Sequence, residues 1–302
     1  MKRRSTTIIV AVIMFLLALG LTLYPLVANY VNQKYASEVH TAYVDVIEQV
    51  DDTTLQEARE LAIRYNEVIT PGSTTLESYS KEAILSASED YEHQLNVTGD
   101  GIMGYVEIPK INVNLPIYHG TGSDSLDRGV GHLLGSSLPV GGESTHAILT
   151  GHSGMASQKM FTDLVQVEVG DVFYLHILDE TLAYQVQELN TVLPHDTSLL
   201  GISEGEDLCT LITCTPYGVN THRLLVTGSR IPYEEAETIV EETVQEELPR
   251  SSWEEKYIFG LVVGVFAALI LALVIGIVIQ IRKIVAEHRR YKRYGGGRHV
   301  KK

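Results

Sequence analysis

Hydrophobic and polar positions follow three different periods along this chain. Near its start, a mostly apolar run extends from Thr6 to Ala28, and near its end Tyr257 to Ile281 carries no charge. Each run is long enough, as a helix, to cross a hydrocarbon layer of about 30 Å. Between them, residues 29–97 are polar with helical spacing: Val39, Tyr43, Val46, Ile47 and Val50 recur on one face. Thr53 to Ile63 predicts a second helix, with Thr53 as its cap and Gln56 as the capping-box partner. Pro71-Gly72 breaks the pattern, and Glu77 to Gln94 is polar with weak helical character.

From Gly101 the period becomes that of strands. Eight short segments are predicted: 104–109, 113–118, 146–150, 172–177, 181–189, 191–194, 207–214 and 223–229. Turn signals such as Val169-Gly170-Asp171 and Leu178-Asp179-Glu180 separate them. Many short strands divided by turns predict a mainly β domain closed as a barrel of about eight strands with short helices. Phe161 to Leu164 predicts a helical turn. The pattern divides the chain into an anchor or signal (1–28), a helical extension (29–97), the barrel (98–235), an acidic linker (236–256), a transmembrane helix (257–281) and a basic tail (282–302).

Charge is segregated along the same boundaries. The chain has 23 Lys+Arg against 38 Asp+Glu, a net charge of −15. Lys2, Arg3 and Arg4 precede the first apolar run, and nine basic residues follow the second. The positive-inside rule then puts both termini in the cytoplasm and residues 29–256 outside. The first run also reads as a cleaved signal, because Leu26-Val-Ala28 offers a small residue near its end. The outer part carries 11 basic and 37 acidic residues, near −26. That excludes nucleic acid as its partner, since phosphate contacts need a basic face. The basic tail suits anionic lipid headgroups.

Cys209 and Cys214 are the two cysteines. Five positions apart on one strand, they stand on opposite faces with Cα atoms about 17 Å apart at about 3.4 Å per residue. A disulfide needs less than about 7 Å. Cys209 therefore reads as a buried small residue and Cys214 as a free thiol. Cys214 ends the β-rich run Thr210-Leu-Ile-Thr-Cys214. A turn-rich loop follows, and Arg223 opens the next β-rich run. If the two runs pair antiparallel, thiol and guanidinium face each other at one end of a sheet. A thiolate is a nucleophile, and a fixed guanidinium can hold charge on a reacting carbonyl. A histidine stands upstream in Thr150-Gly-His152-Ser-Gly. Most of the eleven histidines must be structural, His119, His132 and His146 among them, and His222 should point away from the face of Arg223. No His/Asp/Glu cluster has metal-ligand spacing, so neither metal nor cofactor is expected.

The Thr-Leu-X-Thr-Cys214 run, the downstream Arg223 and the upstream Gly-His152 together resemble the sortases, transpeptidases of Gram-positive surfaces. The likeness runs from about Gly101 to Tyr233 and is strongest to class C, the pilin-polymerising sortases. Gly101 to Lys110, Leu115 to Gly120, Gly129 to Leu133 and Ser137 to Gly142 look like family segments in the right order. The resemblance implies that Cys214 attacks the Thr–Gly carbonyl of a Leu-Pro-X-Thr-Gly-like sorting signal to give a thioacyl-enzyme. It implies that His152 moves protons for leaving and incoming amines, and that Arg223 stabilises the oxyanion. The acceptor would be a lysine amine of a pilin subunit. Anchoring to cell-wall peptide and a non-catalytic binding module are the alternatives. Class C members usually carry a lid with Asp-Pro followed by an aromatic residue. Residues 66–95 contain no Asp-Pro, so the lid is absent or anchored differently.

Overall fold

The computed structural model describes residues 2–68, 91–155, 158–244 and 252–294. The chain forms two compact units, Met1–Trp253 and Glu254–Lys302. In the first, helix α1 (Lys2–Ile47) and helix α2 (Asp52–Val68) precede the barrel strands. These are β1 (Ile102–Ile108), β2 (Val113–His119), β3 (Val130–His132), β4 (Thr145–Thr150), β5 (Val172–Ile177), β6 (Glu180–Val192), β7 (Asp207–Thr215) and β8 (His222–Ile231). A one-turn helix α3 (Ser123–Leu126) lies between β2 and β3, and helix α4 (Tyr233–Val244) follows β8. The described residues of the second unit all belong to helix α5 (Ser252–Tyr294).

The strands close into a barrel in the order β1-β2-β3-β4-β7-β8-β6-β5. Two neighbouring pairs are parallel, β2 with β3 and β4 with β7, and the rest are antiparallel. Closure matters because it leaves no long unpaired edge. Side chains fill the interior, as expected for a small barrel. Tyr105, Phe161, Phe173 and Tyr184 are fully buried, and the last two stack with ring centroids 5.5 Å apart.

Two strand assignments differ from the expectation. Val130–His132 is a strand that three residues with a central glycine do not announce. Conversely, the predicted segments 181–189 and 191–194 fall together in one long strand, β6, which ends at Val192; its pairing with β8 runs unbroken through Asn190 and shifts register only between Val186 and Glu188. The α2 cap also differs. Asp51, not Thr53, accepts from the Thr54 amide at 3.0 Å, and its carboxylate also takes the Thr54 hydroxyl at 2.8 Å.

The helical extension is built into the barrel. Tyr43 on α1 is buried, donates its hydroxyl to the Met103 carbonyl and accepts from the Leu178 amide at 3.1 Å. Burial pushes its hydroxyl up to about 12. On α2, Asn66 makes a two-way pairing with the backbone of Leu138, at 2.7 and 3.1 Å. Tyr91 fixes the return of the chain: its hydroxyl meets His132 Nδ1 at 2.9 Å and takes the Gly120 amide at 2.9 Å. Of the lid region 66–95, residues 69–90 lie outside the described residues. The Glu-rich stretch after β8 is not simply solvated: as α4 it buries Ala236 against Val172, Tyr174 and Ala183. Among the described residues no helix is long and apolar enough to cross a membrane. The two flanking spans expected from the sequence are therefore not shown as spans, although α1 and α5 cover both runs as helices.

Candidate active site

The topology explains why three residues distant in sequence share one rim of the barrel. β4 and β7 are parallel and in register through Thr150 opposite Ile212. Both strands therefore leave the sheet at the same end, where β4 runs on to His152 and β7 reaches Cys214. β7 then turns back into β8, and the antiparallel register puts Cys214 directly opposite Arg223. Directly paired residues on neighbouring strands bring their Cβ atoms to about 4.5–5.5 Å.

The backbone beyond β4 is locked to β7. The Gly151 amide donates to the Ile212 carbonyl at 3.0 Å, and the Thr213 hydroxyl donates to the Gly151 carbonyl at 2.8 Å. The Ser153 hydroxyl donates to the carbonyl of Cys214 itself. Position 151 has no room for a side chain: a Cβ there would lie 2.7 Å from the Phe161 ring. The Phe161 amide in turn donates to the His152 carbonyl at 3.0 Å. These contacts hold the main chain on both sides of His152, while its imidazole remains 37% exposed. Its Nε2 lies 3.8 Å from Oδ1 of Asp127, which is itself exposed.

Cys214 is half-buried and Cys209 is fully buried, and both are free thiols. Disulfide formation between them is excluded by geometry, as the five-residue spacing requires. Burial, with the Asp207 carboxylate nearby, pushes the Cys209 thiol well above its usual range. The β7–β8 loop contains a cis peptide between Thr215 and Pro216. The amides of Val219 and Asn220 both donate to the Pro216 carbonyl at 3.0 Å, and Asn220 takes a left-handed conformation. Arg223 uses one nitrogen, Nη1, to hold the carbonyls of His222 and Asn220 at 3.0 and 3.4 Å. Nη2 and Nε have no hydrogen bond among the described residues. A guanidinium carries five N–H donors in a planar fork, so the other arm can hold an anionic oxygen.

The buried histidines are structural. His132 is wholly buried; Nε2 meets the Ser137 carbonyl at 2.8 Å, and burial lowers its pKa to about 4. His146 spends both ring nitrogens, on the Gly201 carbonyl and the Thr210 hydroxyl, and burial lowers its pKa. Sequence reasoning missed three residues that frame the rim: Thr213, Ser153 and Asp127. Thr213 and Ser153 had a signal, since each adjoins a candidate residue. Asp127 had none, because it comes from the β2–β3 crossover.

The sortase domain family matches residues 106–231. The structure of sortase C from Streptococcus pneumoniae is 43% identical, with a TM-score of 0.58, covering 65% of this chain and 97% of that one. Sortase C1 from Streptococcus agalactiae is 44% identical, with a TM-score of 0.59, covering 65% and 98%. Sortase D of Bacillus subtilis is 32% identical over 131 residues, 42% of this chain. The chain spans 63% of that relative and 56% of the sortase A of Streptococcus agalactiae, so it matches little more than half of each. The chain belongs to the sortase family, whose members are cysteine transpeptidases.

Proposed function

We propose that this protein is a membrane-anchored transpeptidase that cleaves an LPXTG-like sorting signal and joins it to an amine. The observation that carries this reading is the cross-strand pair Cys214–Arg223, at the rim to which β4 delivers His152. The Cys214 sulfur attacks the threonine carbonyl carbon. The developing oxyanion is held by the free arm of Arg223. His152 protonates the leaving amine, leaving a thioester on Cys214. An incoming neutral amine then forms a C–N bond as the C–S bond breaks; its surplus proton goes to His152, and the thiolate leaves.

Similarity to two sortase C structures, one described in terms of pilin substrate specificity, supports a pilin lysine as the acceptor. Anchoring to cell-wall peptide is the second reading, favoured by similarity to the sortase A of Streptococcus agalactiae. Attachment at both ends to the membrane, with the barrel outside, rests on the uncharged run 257–281 and the flanking basic residues. Incubation of the full chain with an LPXTG peptide and intact-mass analysis tests the chemistry. An acyl adduct on Cys214 is expected, and its absence, with Cys214→Ala indistinguishable from the parent, leaves only a binding module. Mass spectrometry of the joined product names the acceptor.

A further inference from the structure

A cleft of about 490 Å³ opens between α1 and the barrel, next to the candidate active site. Its walls are rich in uncharged amides and hydroxyls: Asn29, Asn32 and Ser37 from α1, Asn114 from β2, and Gln158 from the loop after His152. Asp127 stands on its rim, and Gln158 donates to the Asp127 carbonyl at 2.9 Å. Asp127 therefore belongs to the cleft and also lies 3.8 Å from His152.

Three features say what the cleft accepts. The first is an open strand edge. β2 pairs with β1 along its length, but β3 joins it only from Ile117 onward. Val113 to Leu115 thus have a strand partner on one side only among the described residues, and they line the cleft. Gly129 backs directly on Pro116, where a Cβ would come within 2.4 Å of its carbonyl, so the crossover ends the open edge there. Unpaired strand edges capture extended peptides by main-chain hydrogen bonding. The second feature is Asn29, whose Oδ1 is buried with no hydrogen-bond partner among the described residues. A buried acceptor of this kind costs stability unless a ligand donates to it. The third is charge. Arg128 lies over the Tyr118 ring at 4.2 Å and donates to the Asp124 carbonyl, and Lys159 is held by Ile111 and Asp163. His40 packs edge-on against Tyr105, and burial lowers its pKa. Lys159 and His40 are turned to internal partners, Arg128 is exposed but engaged by the Tyr118 ring and the Asp124 carbonyl, and Asp127 presents an exposed carboxylate.

We propose that this cleft docks the acceptor. Its occupant is an extended peptide segment, hydrogen-bonded along Val113–Leu115 and to Asn29, carrying a lysine-type amine that Asp127 draws toward His152. This rests on the transpeptidase reading above. It assigns the second substrate to a site formed jointly by α1 and β2, distinct from the Cys214–Arg223 rim where the acyl group is held. Covalent chemistry is unchanged: the neutral amine forms the C–N bond, the thioester C–S bond breaks, and the proton passes to His152.

The test uses the full chain, an LPXTG peptide as acyl donor, and two nucleophiles in parallel. One is a synthetic hexapeptide with a central lysine, the other hydroxylamine, which is too small to need the cleft. Ser37→Trp, which fills the cleft from the surface of α1, and Asn29→Leu, which removes the buried acceptor, are compared with the parent. Each is expected to lower lysine-peptide aminolysis relative to hydroxylaminolysis by about tenfold or more, a difference of about 1.4 kcal/mol. An unchanged ratio in both variants overturns the proposal. So does a proportional fall with both nucleophiles, which would show damage to the common site. If the parent forms no thioester with the donor peptide, the transpeptidase reading fails and takes this inference with it.

Discussion

Strands β4 and β7 carry a histidine and a cysteine twice, once buried within the strands and once at the rim of the barrel. Within the strands, Cys209 lies in the barrel core and His146 lies on the other face of the sheet, covered by the Gly201 segment; at the rim, His152 and Cys214 follow the two strands out. The inner histidine has both nitrogens occupied and a pKa lowered by burial, and the inner thiol is held protonated. At the rim, His152 is partly exposed and Cys214 is half-buried opposite a guanidinium. Residue type is the same in the two places. Burial silences one pair, and the end of the sheet leaves the other accessible to a substrate.

The sharpest way to break that contrast is to exchange the cysteines' fates. Cys214→Ala is expected to lower transpeptidation by at least about 10³-fold while leaving the melting transition unchanged. Cys209→Ser should do the reverse. A hydroxyl in that buried position costs about 1–3 kcal/mol of stability, and turnover per folded molecule stays near that of the parent. Loss of turnover in Cys209→Ser without loss of stability would end the comparison.

Arg223→Lys probes whether the rim needs charge or geometry. The lysine keeps the charge but loses the planar fork. An expected fall of about 10²–10³ in turnover matches the loss of an oxyanion donor. Near-normal turnover would move that role to backbone amides near Cys214.

The buried histidines predict a pH dependence of stability. His132 in the fold takes a proton only near pH 4, against 6.5 for a free imidazole. Between those values the unfolded chain binds more protons, so stability is full above about pH 6.5 and falls as pH drops toward 4. This one group accounts for roughly 3 kcal/mol of the fall. His146, shifted in the same direction, adds to the slope. Denaturant titrations at pH 7.5, 5.5 and 4.5 measure the loss, and a flat profile would contradict the burial of these rings.

The smallest effect is expected at the surface. Arg59 on α2 bridges Asp179 and Glu180 at 2.8 and 3.0 Å. Exposed pairs of this kind contribute about 0–1 kcal/mol. Arg59→Ala should therefore shift stability by less than Asn66→Ala, which strands the buried amide of Leu138 at a cost of about 1–3 kcal/mol, while the Leu138 carbonyl keeps the Val140 amide at 2.8 Å.

Much of this is readable along the chain. Alternation over 102–231 announces the strands, and the spacing from Cys214 to Arg223 across a turn-rich loop announces their pairing, because a hairpin is local. The five-residue separation of Cys209 and Cys214 excludes a disulfide by strand geometry alone. The tertiary structure decided the rest. Whether β4 lies beside β7, and so whether His152 reaches the rim of Cys214, depends on a parallel pairing between strands some sixty residues apart. Val130–His132 is a strand only because β2 and β4 flank it, and Asp127 meets His152 only through the crossover before it. Pairing with β8 carries β6 straight through Asn190, where the sequence predicted a break, and α4 buries Ala236 only because a barrel face is there to receive it. Local periodicity is set by which neighbours share a face of one element. Non-local register is set by which faces bury together, and no short window of sequence contains that information.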